Sequence, residues 1–147
     1  MKEVGQAMTE INYQLRLAAK TDYPFCHDLT KQNMLTLFSR HWGGWVDSVF
    51  HNDFQAEEAT IIQVDGQDVG YFSLKETKTE LYLSNMQLSS ATQGQGLGSS
   101  IMESILANTS KQMRLTTFSD NPAMRLYERL GFEVAERDGE TVYMLKR

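Results

Sequence analysis

Cysteine occurs once, at Cys26. A single thiol cannot form a disulfide within the chain, and a metal site built on cysteine ligands is excluded. Flanked by Phe25 and His27 in an apolar-rich stretch, Cys26 is expected to be a buried, inert thiol. Positive charge is also short: 14 lysines and arginines stand against 19 acids, for a net charge of −5. That balance argues against a nucleic-acid surface and leans weakly toward a cationic partner such as an amine. The N-terminus lacks the charged, apolar, small-residue order of a signal peptide. No apolar run approaches the length of a membrane span, so the expected location is the cytoplasm, with no membrane partner. The three histidines, His27, His41 and His51, lack metal-ligand spacing. They are expected as surface or capping groups, and no metal is expected.

What is present describes one soluble globular domain over residues 1–147, with 41% apolar and 22% charged residues and no internal repeat or linker. Its centre is Leu88 to Ser99, where Gly94, Gly96 and Gly98 alternate and an apolar helical pattern begins at Leu97, Ile101, Met102, Ile105 and Leu106. Glu80 to Leu88 ahead of it reads as a strand. A strand, a glycine turn and a helix make an anion cradle: the first N–H groups of a helix have no partners and lie at the positive end of its dipole. A P-loop would end in Gly-Lys-Ser/Thr, and this run ends Gly98-Ser99-Ser100. A dinucleotide fold would place an acid about twenty residues on, where the chain has Leu115-Thr116-Thr117. Both readings fit poorly, although a nucleotide-binding domain stays open as a third possibility.

A second motif follows at Asn121-Pro122-Ala123-Met124-Arg125-Leu126-Tyr127-Glu128-Arg129-Leu130-Gly131-Phe132. Local chemistry predicts a helix with Asn121 as N-cap, Pro122 at its first position and Gly131 as its stop. The run Gln93-Gly94-Gln95-Gly96-Leu97-Gly98, with Asn121, Ala123 and Tyr127 to Phe132 one helix and one strand later, resembles the GNAT family of N-acetyltransferases. The resemblance covers residues 60 to 147 well and the N-terminal part in outline.

The remaining pattern predicts an α/β (α+β) fold. Tyr13 to Ala18 is a first strand after a loose arm at residues 1–12. Helical sequence from Thr21 to Phe54 is broken at Gly43-Gly44. Ala59 to Val64 and Asp68 to Leu74 flank Asp65-Gly66, a hairpin signal. Glu80 to Leu88 completes an antiparallel meander. Met113 to Phe118 lies across a helix from it, so the two strands pair in parallel. Phe132 to Glu136 and Thr141 to Leu145 close a second hairpin.

The resemblance implies a mostly antiparallel central sheet flanked by helices, and transfer of an acetyl group from acetyl-CoA to a primary amine. The implied cofactor-binding residues are Met86, Leu88, Gln93, Gly94, Gln95, Gly96, Leu97, Gly98, Ser99, Asn121 and Tyr127. Backbone N–H groups of Gln93 to Ser99 would hold the pyrophosphate; many relatives carry arginine where Gln93 stands. Met86 and Leu88 would line the pantetheine arm, with a backbone N–H near Leu88 polarising the carbonyl. The Tyr127 hydroxyl would protonate the leaving thiolate. From spacing alone Tyr127 is equally a core residue beside Ala123 and Leu130. Trp42 and Trp45 are either walls of an acceptor pocket or core packing. The base is open: some relatives carry glutamate where Tyr82 stands, Glu80 lies two residues earlier, Asn85 can hold water, and Asp47 or Asp53 are further candidates. The acceptor is a small-molecule or peptide amine, and a homodimer is possible. A non-catalytic acyl-CoA-binding module, a sensor or an interaction domain, is the alternative.

Overall fold

A computed structural model describes residues 11–147. The expected loose arm at 1–12 therefore falls almost entirely outside the described residues. Strand β1 (Gln14–Leu17) leads into helix α1 (Tyr23–Trp42), which carries Pro24 in its first turn. Gly43 ends α1 in the left-handed region at φ 81°, and α2 (Asp47–Asp53) follows, as the Gly43-Gly44 break predicts. Strands β2 (Ala59–Val64) and β3 (Gln67–Glu76) flank a tight turn with positive φ at both Asp65 and Gly66. Two successive positive φ values match the right-handed twist of a hairpin. Strand β4 (Glu80–Leu88), helix α3 (Leu97–Ala107), strand β5 (Gln112–Phe118), helix α4 (Met124–Arg129) and the hairpin β6 (Glu133–Asp138) and β7 (Thr141–Lys146) complete the chain.

The described residues form a seven-stranded sheet in the order β1-β2-β3-β4-β5-β7-β6. The β4–β5 pair is parallel and the other neighbours are antiparallel. Alternating side chains divide the core between the two faces. On one face Ile61 and Tyr71 pack with Cys26 and Leu29 of α1 and Phe50 of α2. On the other, Ile62, Phe72, Leu81 and Leu83 pack with Leu97, Ile101 and Met102 of α3 and Tyr127 of α4. Burial of a large apolar side chain stabilises the fold by ~1.5–3 kcal/mol, and the second cluster is the larger. Cys26 is fully buried, and burial with nearby Asp22 pushes its thiol up to about 12. No helix of the described residues is long and apolar enough to cross a membrane.

One helix boundary differs from expectation. Asn121 does not cap α4 directly. Its Oδ1 accepts from the Ala123 N–H at 2.9 Å and its carbonyl from Met124 N–H at 2.9 Å, so residues 121–124 form a turn and the helix starts at Met124. Asparagine favours such side-chain-to-backbone turns as readily as helix caps. Gly131 ends the motif at φ 97°, as expected.

Candidate active site

Strands β4 and β5 pair only from Glu80–Leu83 against Gln112–Leu115. Beyond that point β4 runs on beside β3 as far as Leu88, and β5 runs on beside β7 as far as Phe118. The sheet therefore opens into a wedge. Its cause is local: the β3–β4 register shifts between Ser73 and Leu74, leaving Ser84 as an extra residue whose Oγ donates to the Ser73 carbonyl at 3.3 Å. A bulge of this kind bends and twists its strand, here away from β5.

The register also aims the backbone. Ser89 N–H donates to the Val69 carbonyl at 2.8 Å, which makes Gly70 opposite Leu88 a non-hydrogen-bonded pair. The N–H and C=O of Leu88, and of Met86 two residues back, consequently point away from β3 into the wedge. Side chains of Met86 and Leu88 lie on the α3 face and pack against the larger core. Gly70, which the sequence reading did not single out, permits this approach. A Cβ there would stand 2.5 Å from the Gln87 carbonyl oxygen and 2.7 Å from Leu88 Cδ2.

The glycine run borders the same space. Gly94 and Gly96 have φ 76° and 85°, and a Cβ on either would meet nothing within 4 Å. Helix α3 has no side-chain cap, and its first main-chain bond runs from Ser100 N–H to the Gly96 carbonyl at 3.0 Å. The N–H groups of Leu97, Gly98 and Ser99 thus precede the helical ladder. Leu97 is buried and anchors the helix. A Cβ at Gly98 would lie 3.6 Å from both Leu88 Cδ1 and Leu126 Cδ2, so Gly98 brings α3, the end of β4 and α4 together. An uncapped helix start with open space over Gly94 and Gly96 suits a phosphate group.

Gln93 behaves differently from a phosphate-binding arginine. Its Nε2 turns back to donate to the Leu88 carbonyl at 2.9 Å, while Gln95 Nε2 donates to the Ala91 carbonyl at 3.0 Å. Asn121 donates through Nδ2 to Thr117 Oγ1 at 3.0 Å, near the end of β5. Tyr127 is 7% exposed, its ring edge-on to Phe132 at 5.9 Å, and burial pushes its hydroxyl up to about 12.

The two tryptophans part company. Trp42 is 59% exposed and packs on Phe38 and on Phe118, the last residue of β5. Trp45 is half-buried between Phe38, Phe50 and His27, and its indole N–H is bound by Asp47. Only Trp42 stands at the tip of β5.

Each base candidate on β4 is engaged. Glu80 accepts from Arg114 Nε at 2.7 Å and Gln112 Nε2 at 3.2 Å, and the Arg114 hydrogen bond holds its carboxyl below the usual range. Tyr82 donates to Thr116 Oγ1 at 3.3 Å under the Arg114 guanidinium. Asn85 Oδ1 accepts from Gln87 Nε2 at 3.1 Å. Asp47 is tied to His27 and Trp45, and Asp53 lies exposed at the end of α2.

Two of the histidines differ from simple surface or capping groups. His27 places Nδ1 2.8 Å from Asp28 and Nε2 2.9 Å from Asp47. His41 stacks on Phe118 at 4.6 Å and bonds Asp120 at 2.9 Å. The contacts with Asp47 and Asp120 have no signal in spacing, because those partners lie 20 and 79 positions away in the chain.

Comparison with known proteins agrees with this architecture. The family model described as an acetyltransferase (GNAT) domain matches residues 28–143. The PaiA N-acetyltransferase of Thermoplasma acidophilum, solved with coenzyme A, superposes with a TM-score of 0.75 at 14% identity, covering 93% of this chain and 99% of that one. An acetyltransferase from Thermus thermophilus superposes with a TM-score of 0.73 at 19% identity, covering 92% and 97%. The ribosomal-protein-S18-alanine N-acetyltransferase of Escherichia coli gives 0.67 at 19% identity, covering 91% of each chain. At these identities the superpositions establish the fold, and the family model spans most of the chain. With an open β4–β5 wedge beside an uncapped glycine helix, the chain belongs to the GNAT family of acetyltransferases.

Proposed function

We propose that this protein transfers an acetyl group from acetyl-CoA to a primary amine by direct attack. The observation that carries the reading is the wedge, whose Met86 and Leu88 backbone groups face a space bordered by the start of α3. Acetyl-CoA supplies the thioester carbonyl. The N–H groups from Gln93 to Ser99 hold the pyrophosphate with the help of the helix dipole. The Met86 backbone groups pair along the pantetheine arm, as an added strand pairs with a free edge, and the Leu88 side chain lines it. The Leu88 N–H binds the carbonyl oxygen, and a preorganised donor at a developing oxyanion is commonly worth ~3–4 kcal/mol.

The amine nitrogen bonds to the carbonyl carbon as the carbon–sulfur bond breaks. Tyr127 donates its proton to the sulfur, the amine proton leaves to water, and Tyr127 regains a proton from water, so that one proton passes in net from the amine to the thiol. A hydroxyl raised by burial remains protonated across the physiological range and so can serve as the acid. Asn121, at the end of β5, contacts CoA, and Trp42 forms part of the acceptor wall.

The engaged state of Glu80, Tyr82 and Asn85 favours one other reading, an acyl-CoA-binding module without turnover. One experiment separates them. Melting temperature is measured with acetyl-CoA, ATP or NAD, and thiol release is then followed with spermidine, tyramine and an alanine-initiated peptide. Ligand at a hundredfold over its dissociation constant adds ~2.7 kcal/mol of stability. A shift with acetyl-CoA alone, followed by thiol release on adding an amine, is the expected result. A shift without release selects the binding module, and no shift overturns the CoA reading.

A further inference from the structure

The tip of β4 lacks the neighbour that the rest of the strand has. From Ser84 onward β5 has diverged, and among the described residues β3 is the one strand that still pairs with it. On the open side, a side chain from α1 occupies the place of the missing rung. Asn33 Nδ2 donates to the Leu88 carbonyl at 2.9 Å and to Gln87 Oε1 at 3.1 Å. The buried Gln87 passes its own Nε2 to Asn85 Oδ1. From the glycine loop, Gln93 Nε2 reaches the same Leu88 carbonyl at 2.9 Å. A carbonyl oxygen has two acceptor sites, and both are filled here by amides from two different elements. Amide orientation is dictated as well: the Leu88 oxygen can only accept, so Asn33 must present nitrogen, and its two hydrogens match its two acceptors.

We infer that Asn33 is a positioning residue that holds the last peptide of β4, and through it the Leu88 N–H, in the direction the acetyl carbonyl requires. The inference rests on the acetyl-CoA reading above. Fixing the Leu88 carbonyl fixes the rotation about its Cα–C bond, and the neighbouring Ser89 N–H is already held by Val69. That peptide is joined at Leu88 Cα to the one that carries the Leu88 N–H, and Asn33 also holds the side chain of Gln87 on the far side of it, so Leu88 is restrained from both directions. Because Asn33 sits on α1 and Gln93 on the glycine loop, the same carbonyl joins the acceptor-side helix to the phosphate-binding segment. Nothing in the sequence ties Asn33 to Leu88, which lie 55 positions apart.

The test is calorimetric titration of wild type, Asn33→Ala and Asn33→Asp with acetyl-CoA and with CoA. CoA has the phosphates and pantetheine arm without the acetyl carbonyl. Wild type is expected to bind acetyl-CoA several-fold more tightly than CoA. Both variants should lose that preference while their CoA affinity stays at the wild-type value, because the loop and helix dipole are untouched. Asn33→Asp keeps the size of the side chain and turns the donor into an acceptor, so it separates lost hydrogen bonding from lost packing. A preserved preference in either folded variant overturns the role, as does CoA affinity falling in parallel, which marks a purely structural part. Wild type binding both ligands equally removes the premise for Asn33. Wild type binding neither overturns the acetyl-CoA reading itself.

Discussion

Tyr127 carries two burdens that sequence spacing alone does not separate. Its ring is a member of the larger core cluster, and its hydroxyl is the proposed acid. Replacement by phenylalanine keeps the ring and its edge-on contact with Phe132, so stability should change little. General acid catalysis commonly contributes about 10²–10⁴-fold; Tyr127→Phe should therefore lower kcat for thiol release by roughly a hundredfold, with acetyl-CoA affinity retained. Steady-state kinetics beside a melting curve checks this, and unchanged kcat would leave Tyr127 as core alone. The glycines were legible because backbone chemistry forces them, with φ positive at Gly94, Gly96 and Gly131, whereas Asn121, expected as a helix cap, instead closes a turn ahead of α4. Gly70, Asn33 and Gln87 were not legible. Each matters through a neighbour that only strand register or helix docking supplies.

Helices α1 and α2 show the same division one level up. Gly43 and its positive φ explain why they separate, and this break is visible in the chain. What fastens them is His27, bridging Asp28 on its own helix and Asp47 on α2, with Tyr23 stacked on its ring. The Asp47 hydrogen bond, with that of Asp28, raises the imidazole above its ordinary value, while His27 and Trp45 lower Asp47. A raised histidine contributes stability that is complete below its unfolded pKa of about 6.5 and is lost as pH rises through the higher folded value. A lowered aspartate contributes stability that is present above about 3.9 and is lost as pH falls. The clasp is therefore strongest between these limits. The melting temperature of wild type should exceed that of His27→Gln most near pH 5–6, within that window, and the gap should narrow above neutrality. A gap independent of pH would show that packing on Tyr23 and Trp45, rather than charge, sets the contribution of His27.

At the scale of the molecule, the fold is a sheet that is continuous at one end and parted at the other. Leu83 opposite Leu115 is the last β4–β5 rung, with core packed beneath both residues. Past it, the two halves of the sheet follow different partners. Amides that face the wedge should exchange with solvent faster than their place in a central strand suggests, since exchange reports local hydrogen bonding and opening. Residue-resolved hydrogen exchange should find the Leu88 amide fast in the free protein and slowed by acetyl-CoA, while that of the fully buried Ile61 stays slow in both states. A Leu88 amide already slow without ligand would contradict an open edge.

The amino-acid sequence by itself determined which segments become strands and helices, where the turns fall, that β4 and β5 pair in parallel, and that a bare glycine helix start follows β4. Those features depend on alternation, glycine placement and connection length, all written along the chain. The tertiary structure alone decided how far β4 and β5 stay together, which backbone groups consequently lose their partners, that Trp45 packs inward while Trp42 stays exposed, and that Asn33 reaches the freed carbonyl. The physical reason is shared by all four. Each depends on the register of one strand against another, or the docking of a helix on a sheet, and both are settled by packing among residues far apart in sequence.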